Sequence, residues 1–322
     1  MRLVHTMPPL LSVIIPHYNH HEALPKALES ILAQTLKDLE AVIVDDCSDV
    51  PCDDIVSLYR TKGLHITLVR NEKRQYTKES RLIGVEAAQG RLITFLDADD
   101  IFYKNAALQY HVERLLETGA DIIHFDTLYY EEGVRKRQIP RWGKPLAKEL
   151  RDGDIFRTYL RTDGGGHATC GKIATRKLWL ACLPAARASS VRRYQEDFLF
   201  SSLLFFHARH YIGSFRIGYV YFRNNVQALH KAFGRCASLH AMLTEFLPYM
   251  RQQGADTALC ADMRACLLKA IKENMLKYLE YVYPNLQEDN LPPESVFSEM
   301  REHAEPDMAL RVLMTGFMQV LK

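Results

Sequence analysis

Residues 10–48 read LLSVIIPHYNHHEALPKALESILAQTLKDLEAVIVDDCS: an apolar run, an amphipathic stretch, and a second apolar run that stops at paired acids. Leu10 to Ile15 has the length and β-branched content of a buried strand. Leu24, Leu28, Ile31 and Leu32 recur at helical spacing between Asn19 and Thr35, and Leu39 to Val44 returns to strand. The alternation continues outward. Helix is expected over Asp53–Thr61, strand over His65–Val69, helix from about Lys78 to Ala88, and strand over Arg91–Leu96, which runs into Asp97-Ala98-Asp99-Asp100. Such βαβ units predict an α/β, Rossmann-like sheet, largely parallel in this half and flanked by helices. Open α/β sheets gather ligands at the carboxyl ends of their strands, where the loops converge, and both acidic clusters stand there.

Past Asp126 the pattern gives way to a basic, polar stretch, EEGVRKRQIPRWGKPLAKE, read as an exposed excursion. A glycine run, Asp163 to His167, precedes Lys172 and an expected helix; another helix starts near Gln195-Glu196-Asp197, and Phe215 to Phe222 reads as a last strand. From about Val226 the chain reads as helical, with amphipathic segments at 236–250, 258–280, 294–303 and 307–321. The boundary is placed at 225, giving a sheet domain over 1–225 and an α-helical C-terminal region over 226–322.

With 322 residues, 48% apolar and 25% charged, the composition is that of a globular protein and excludes fibrous and disordered classes. Lysine and arginine number 41 against 39 acids, a net +2 that argues against nucleic acid as a partner. Seven cysteines form no CxxC pair, so reduced thiols in the cytoplasm are expected. No secretory signal is read at the N-terminus, and no apolar run reaches the length of a membrane span. The tail from Met308, MALRVLMTGFMQVLK, is amphipathic; it reads as a helix packed on its own domain, with self-association or peripheral contact at the inner face of a membrane as the alternatives.

Three carboxylates in Asp97-Ala98-Asp99-Asp100 repel one another unless a cation compensates them. Hard oxygen ligands suit Mg²⁺ or Mn²⁺, which take one or two protein carboxylates together with substrate phosphates. The competing reading is a solvated acidic turn in which Asp100 caps the next helix. The remaining motifs, in order, are IIPHYN at 14–19, VDDCS at 44–48, ESRLIG at 79–84 and QEDF at 195–198. With FLDADD at 95–100 they resemble the family 2 glycosyltransferases of GT-A fold, whose pattern runs IIPxYN, VDDGSxD, ARNxG, FLDxDD and a later ED. The resemblance covers about residues 10 to 225.

Position by position, the resemblance implies that Pro16 and Tyr18 line a nucleobase pocket, that Asp46 accepts hydrogen bonds from base or ribose, and that Arg81 reaches the nucleotide. Asp97 is implied at the ribose and metal edge and Asp99 as a metal ligand, while His230 either completes the metal or diphosphate site or is a surface histidine. A uracil N3–H suits the Asp46 carboxylate, so a UDP-sugar is the expected donor. Asp197 is the first candidate for the general base of an inverting transfer, and Glu196 orients the acceptor or takes that role instead. The implied acceptor is a hydroxyl of a glycan or of a lipid-linked saccharide, as in bacterial surface polysaccharide synthesis.

Several residues carry two readings. Gly164 to Gly166 and His167 suit either an acceptor loop or an ordinary turn, and Lys172 and Arg223 either a diphosphate contact or a solvated charge. Trp142 suits sugar stacking or a loop anchor, whereas Trp179 is read as core. The sequence also departs from the pattern: the glycine-bearing turn before ARN is replaced by Lys73-Arg74-Gln75-Tyr76-Thr77, and the final acid of DGSxD is shifted. A dinucleotide-binding dehydrogenase is excluded by the want of GxGxxG after the first strand. The rival that remains is a non-catalytic nucleotide-sugar-binding or scaffold protein of the same fold.

Overall fold

The computed structural model describes residues 8–131, 139–162, 165–192, 194–222 and 231–282. The chain forms two compact units, Met1–Ala188 with Asp197–Asn224, and Ser189–Glu196 with Asn225–Lys322.

The first unit opens with β1 (Leu11–His17), α1 (Leu24–Leu32), β2 (Leu39–Asp45), α2 (Asp53–Thr61), β3 (Ile66–Arg70), α3 (Tyr76–Ala87), β4 (Leu92–Phe95) and β5 (Ile101–Phe102). It continues through α4 (Ala107–Thr118), β6 (Ile122–Tyr130), a 3-10 turn at Arg141–Gly143, β7 (Glu149–Arg151), α5 (Gly153–Arg161), β8 (Lys172–Thr175), α6 (Arg176–Ala188), α7 (Glu196–His207) and β9 (His210–Phe222). The strands form one mixed sheet in the order β3-β2-β1-β4-β8-β6-β9-β5, with β7 added on β9. The β3-β2-β1-β4 half is parallel throughout; β8 runs antiparallel to both β4 and β6, and β6 then lies parallel to β9.

Every residue of β2 is buried and only Pro16 of β1 is half-buried, which is why these strands read as unbroken apolar runs instead of alternating ones. Two of the polar exceptions pair with each other. On β1 and β2 the neighbouring Ser12 and Glu40 face each other, Ser12 Oγ donating to Glu40 Oε1 at 2.7 Å, and the Gln89 amide donates to the same oxygen at 2.7 Å. Gly90 follows because the chain passes directly over this pair: a Cβ there would stand 2.6 Å from the Ser12 backbone nitrogen.

Helix α1 is shorter than its apolar spacing suggests, because Asn19 has positive φ (55°) and the helix begins only near Pro25. In contrast, β9 is longer than its apolar stretch, and β6 extends through Tyr130 into what reads as polar sequence. Both extensions are paired residue by residue, and the ladder supplies partners that local composition does not reveal.

In the second unit, α8 (Lys231–Ala241) passes through a π-helical segment, Met242–Phe246, into α9 (Leu247–Gln252), and α10 (Thr257–Val282) follows. Cys236, Leu239, Met242, Phe246, Met250, Met263 and Leu267 are among its buried apolar residues. Glu245 holds the start of the Ser189–Glu196 segment of this unit, accepting from Ser189 Oγ and from the Ser190 amide, each at 2.9 Å. The expected helices at 294–303 and 307–321, and the tail from Met308, lie outside the described residues. Among those described, no helix is long and apolar enough to cross a membrane. All seven cysteines are free thiols.

Candidate active site

The carboxyl ends of β1, β2, β3 and β4 meet on one edge of the sheet, and polar contacts extend the ladder past each strand. The Asp46 amide donates to the His17 carbonyl at 2.8 Å, and the Asn71 amide to that of Asp45 at 2.9 Å. Asp45 is buried and structural: it accepts from the Ser48 amide at 3.0 Å and pairs with Arg70 at 2.9 Å. The loops after β1 and β2 are clamped by Asn19 and Asp49, whose side-chain and backbone groups exchange hydrogen bonds of 2.8 and 2.9 Å. The acid shifted from the expected motif position is thus in use.

Asp46 is buried and accepts three hydrogen bonds, from Asn71 Nδ2 at 2.8 Å, from the Gln75 amide at 2.7 Å and from the Tyr76 amide at 2.7 Å. Its carboxylate therefore fastens the entry to α3, compensating the first turn of that helix. Tyr18 is half-buried beside it, with the Arg74 guanidinium 3.8 Å from its ring centre and 5.0 Å from that of Tyr76. Pro16 is half-buried at the end of β1. The replacement for the glycine-bearing turn thus carries a cation stacked between two tyrosines.

Arg81 holds the centre of the site. It is 3% exposed on α3, and its two terminal nitrogens reach Asp197 Oδ1 at 2.7 Å and Asp97 Oδ1 at 2.9 Å. A planar guanidinium can fork in this way where a lysine cannot. Asp197, second residue of α7, also accepts from the Thr169 amide at 3.3 Å and from the Thr169 hydroxyl, both on Oδ1. Among the described residues nothing is hydrogen-bonded to its Oδ2. Burial pushes the Asp197 carboxyl up, but Arg81, the Thr169 hydroxyl, His167 and Lys172 outweigh it and hold the group below the usual carboxylate range. Asp97 goes the other way: burial, with the charges of Asp197 and Asp99, raises it despite Arg81. Glu196 opens α7 and is half-buried.

Asp100 does not cap the following helix. It is buried, accepting from the Tyr219 hydroxyl at 2.7 Å and from the Phe222 amide at 2.8 Å, while Tyr219 oxygen also receives the Asp97 amide at 3.1 Å. Those bonds tie the acidic turn to β9 and leave Asp99, half-buried, and Asp97 at the mouth of the site. His230 lies outside the described residues, as do Gly164 and Arg223.

Lys172 is buried; its amine donates to the Ala168 carbonyl, lies 5.5 Å from the Phe205 ring centre, and is pushed down to about 8 by burial. Gly166 has φ +72° and packs against Leu146 and His124, and the His167 carbonyl accepts from Ser201 Oγ at 2.8 Å, so these residues are fastened to α7 and β6. Trp179 is core, edge-on to Phe95 at 5.1 Å. Thr169, Asn71 and Tyr219 complete the site without having been legible as site residues. Asn71 carries one signal, a polar residue directly after a strand of the parallel half; Thr169 carries none.

No three His, Cys, Asp or Glu side chains among the described residues are arranged to enclose a metal ion. A hard divalent cation shared with a diphosphate needs only one or two protein carboxylates, however. Asp97 and Asp99 are two half-buried carboxylates separated by one residue in the turn after β4, the hard-oxygen donor set that such an ion takes. Asp97 and Asp99 therefore fit such an ion, with the remaining oxygens to come from substrate and water.

Comparison with known proteins follows the same lines. The model of "Glycosyl transferase family 2" matches residues 12–182. A putative teichuronic acid biosynthesis glycosyltransferase, TuaG of Bacillus subtilis, is 36% identical over 109 residues, 34% of this chain and 43% of the relative. The chain spans less than half the length of the curated relatives it matches. Among solved structures, S. aureus TarS 1-349 in complex with UDP-GlcNAc superposes with TM-score 0.59 at 19% identity, over 89% of this chain and 78% of that one. The mannosyltransferase PcManGT from Pyrobaculum calidifontis, in complex with GDP-Man and Mn²⁺, gives 0.54 at 16% identity, over 96% and 84%. The fold is accordingly GT-A.

Proposed function

The chain belongs to glycosyl transferase family 2, and from that premise we propose that it is an inverting, metal-assisted glycosyltransferase, moving a sugar from a nucleotide-diphosphate donor to a hydroxyl acceptor. The observation that carries this reading is the Arg81 fork, which joins the carboxylate of the acidic turn, Asp97, to the first candidate for the base, Asp197. An ionised Asp197 with Oδ1 anchored and Oδ2 open has the form required of a base that takes the acceptor proton as the hydroxyl attacks. Because Arg81 and Thr169 remain on Oδ1, protonation at Oδ2 need not disturb the anchor.

The donor's base would lie against Pro16 and Tyr18. Asp46 has spent three of about four lone-pair sites on the loop before α3, and the one left suits a ring N–H. Uracil is therefore the first choice, a preference in keeping with the UDP-GlcNAc bound by TarS. Asp97 and Asp99 would hold a Mn²⁺ or Mg²⁺ ion, which when bound supplies neutralising charge to the departing diphosphate. The Mn²⁺ in the PcManGT complex is in keeping with that. The acceptor is a glycan or lipid-linked saccharide of the surface-polymer class, a reading supported by the resemblance to TuaG.

The test is thermal stability against UDP, GDP, CDP and TDP, each with Mn²⁺, Mg²⁺ or chelator. A ligand at about 100 times its Kd stabilises the folded state by about 2.7 kcal/mol. A metal-dependent shift with UDP alone is expected. Shifts with none of the four, on a folded sample, would refute nucleotide-diphosphate binding and with it the transferase reading.

A further inference from the structure

Parallel pairing of β6 with β9 sets Tyr129 opposite Tyr221, and the two rings stack 6.0 Å apart at 22°. Trp142, from the 3-10 turn after β6, stands edge-on to Tyr221 at 5.2 Å and 80°. The turn comes this close because Gly143 has no side chain: a Cβ there would lie 2.7 Å from Thr127 Cβ. All three rings are half-buried, and among the described residues neither tyrosine hydroxyl nor the indole N–H has a hydrogen-bond partner. Rings wholly devoted to the core are normally covered, and their polar tips paired.

Their position relates them to the site. Tyr221 is two residues beyond Tyr219 on β9 and so projects from the same face, the face on which Tyr219 binds Asp100 and the Asp97 amide. Burial, with the charges of Asp100, Asp97 and Asp99 adding to it, raises the Tyr221 hydroxyl above its ordinary value. Trp142 and Tyr221 also pack against the main apolar core of this unit. Half-buried aromatic faces whose polar tips have no hydrogen-bond partner among the described residues, on the face of β9 that carries Tyr219, match a pyranose ring, which offers an apolar C–H face and a rim of hydroxyls.

We propose that Trp142, Tyr221 and Tyr129 form the platform on which the pyranose ring of the acceptor stacks. The assignment rests on the transferase reading. The probe is a set of methyl α- and β-glycosides of glucose, galactose, mannose and N-acetylglucosamine, with binding followed by saturation transfer from protein to sugar ring protons. The wild-type protein is expected to bind at least one of them. Trp142→Leu, which keeps an apolar side chain but removes the ring, should weaken that binding about tenfold or more, and Trp142→Tyr should restore part of it. Tyr129→Leu, on a different element, serves as an independent variant should the turn fail to fold, and should show the same loss. In each variant the UDP-induced thermal shift should stay at the wild-type value. Saccharide binding that is unchanged in folded Trp142→Leu and Tyr129→Leu would overturn the platform, as would no saccharide bound by wild type that UDP still stabilises. Absence of the UDP shift itself would instead count against the transferase reading.

Discussion

Arg81→Met is expected to destabilise the protein by about 2–4 kcal/mol in urea unfolding and to abolish transfer. Removing one member of a fully buried ion pair costs about 3–5 kcal/mol, because the partner is left charged and uncompensated. Here two carboxylates lose their cation at once, but Asp97 and Asp197 side chains retain 32% and 38% exposure, so water takes up part of the loss. Arg81→Lys should recover less than half, since a single ammonium cannot reach both acids in the geometry of the fork. Unfolding midpoints unchanged in the methionine variant would show that the fork contributes nothing to the fold.

Asp197→Asn is expected to lower transfer by about 10²–10⁴-fold, the usual contribution of a positioned general base, with little change in donor binding. The amide can still accept from Thr169, so the site should remain assembled. Arg81 and its companions hold the wild-type carboxyl below the usual range, so the folded group is ionised wherever an ordinary aspartate is, and further into acid. The base-dependent limb of a pH–rate profile should therefore appear only as the pH falls below the ordinary aspartate value, with activity flat above it. A limb centred near neutrality would place the base on another residue, and undiminished transfer by the asparagine variant would remove Asp197 from the mechanism.

The parallel half of the sheet was legible because β1 and β2 are short, nearly unbroken apolar runs, as expected of strands covered on both faces. The antiparallel and late strands were not: β8 has four residues and β7 three, too short to carry any periodicity, and both exist through their partners. At the site, Asp46, Asp97, Asp99 and Asp197 could be named from the resemblance. What could not be read was pairing. That Arg81 joins Asp97 to Asp197, 116 residues from itself in sequence, depends on the tertiary fold bringing the start of α7 within reach of the Arg81 side chain, and no local pattern encodes that distance. The same holds for Thr169, an ordinary polar residue in a loop, and for Asp100, which sits in the acidic motif yet serves β9.

The central claim is that the carboxylates joined by Arg81 serve sugar transfer from a nucleotide-diphosphate donor. The most direct measurement is release of nucleoside diphosphate from a panel of UDP- and GDP-sugars with Mn²⁺, by wild type beside Asp197→Asn, both first checked for stabilisation by the free diphosphate. Release by wild type from at least one UDP-sugar, lost in the variant while diphosphate binding persists in both, is the predicted result. Binding without release by the wild-type protein, for every donor tried, would contradict the claim and leave a nucleotide-binding protein in place of an enzyme.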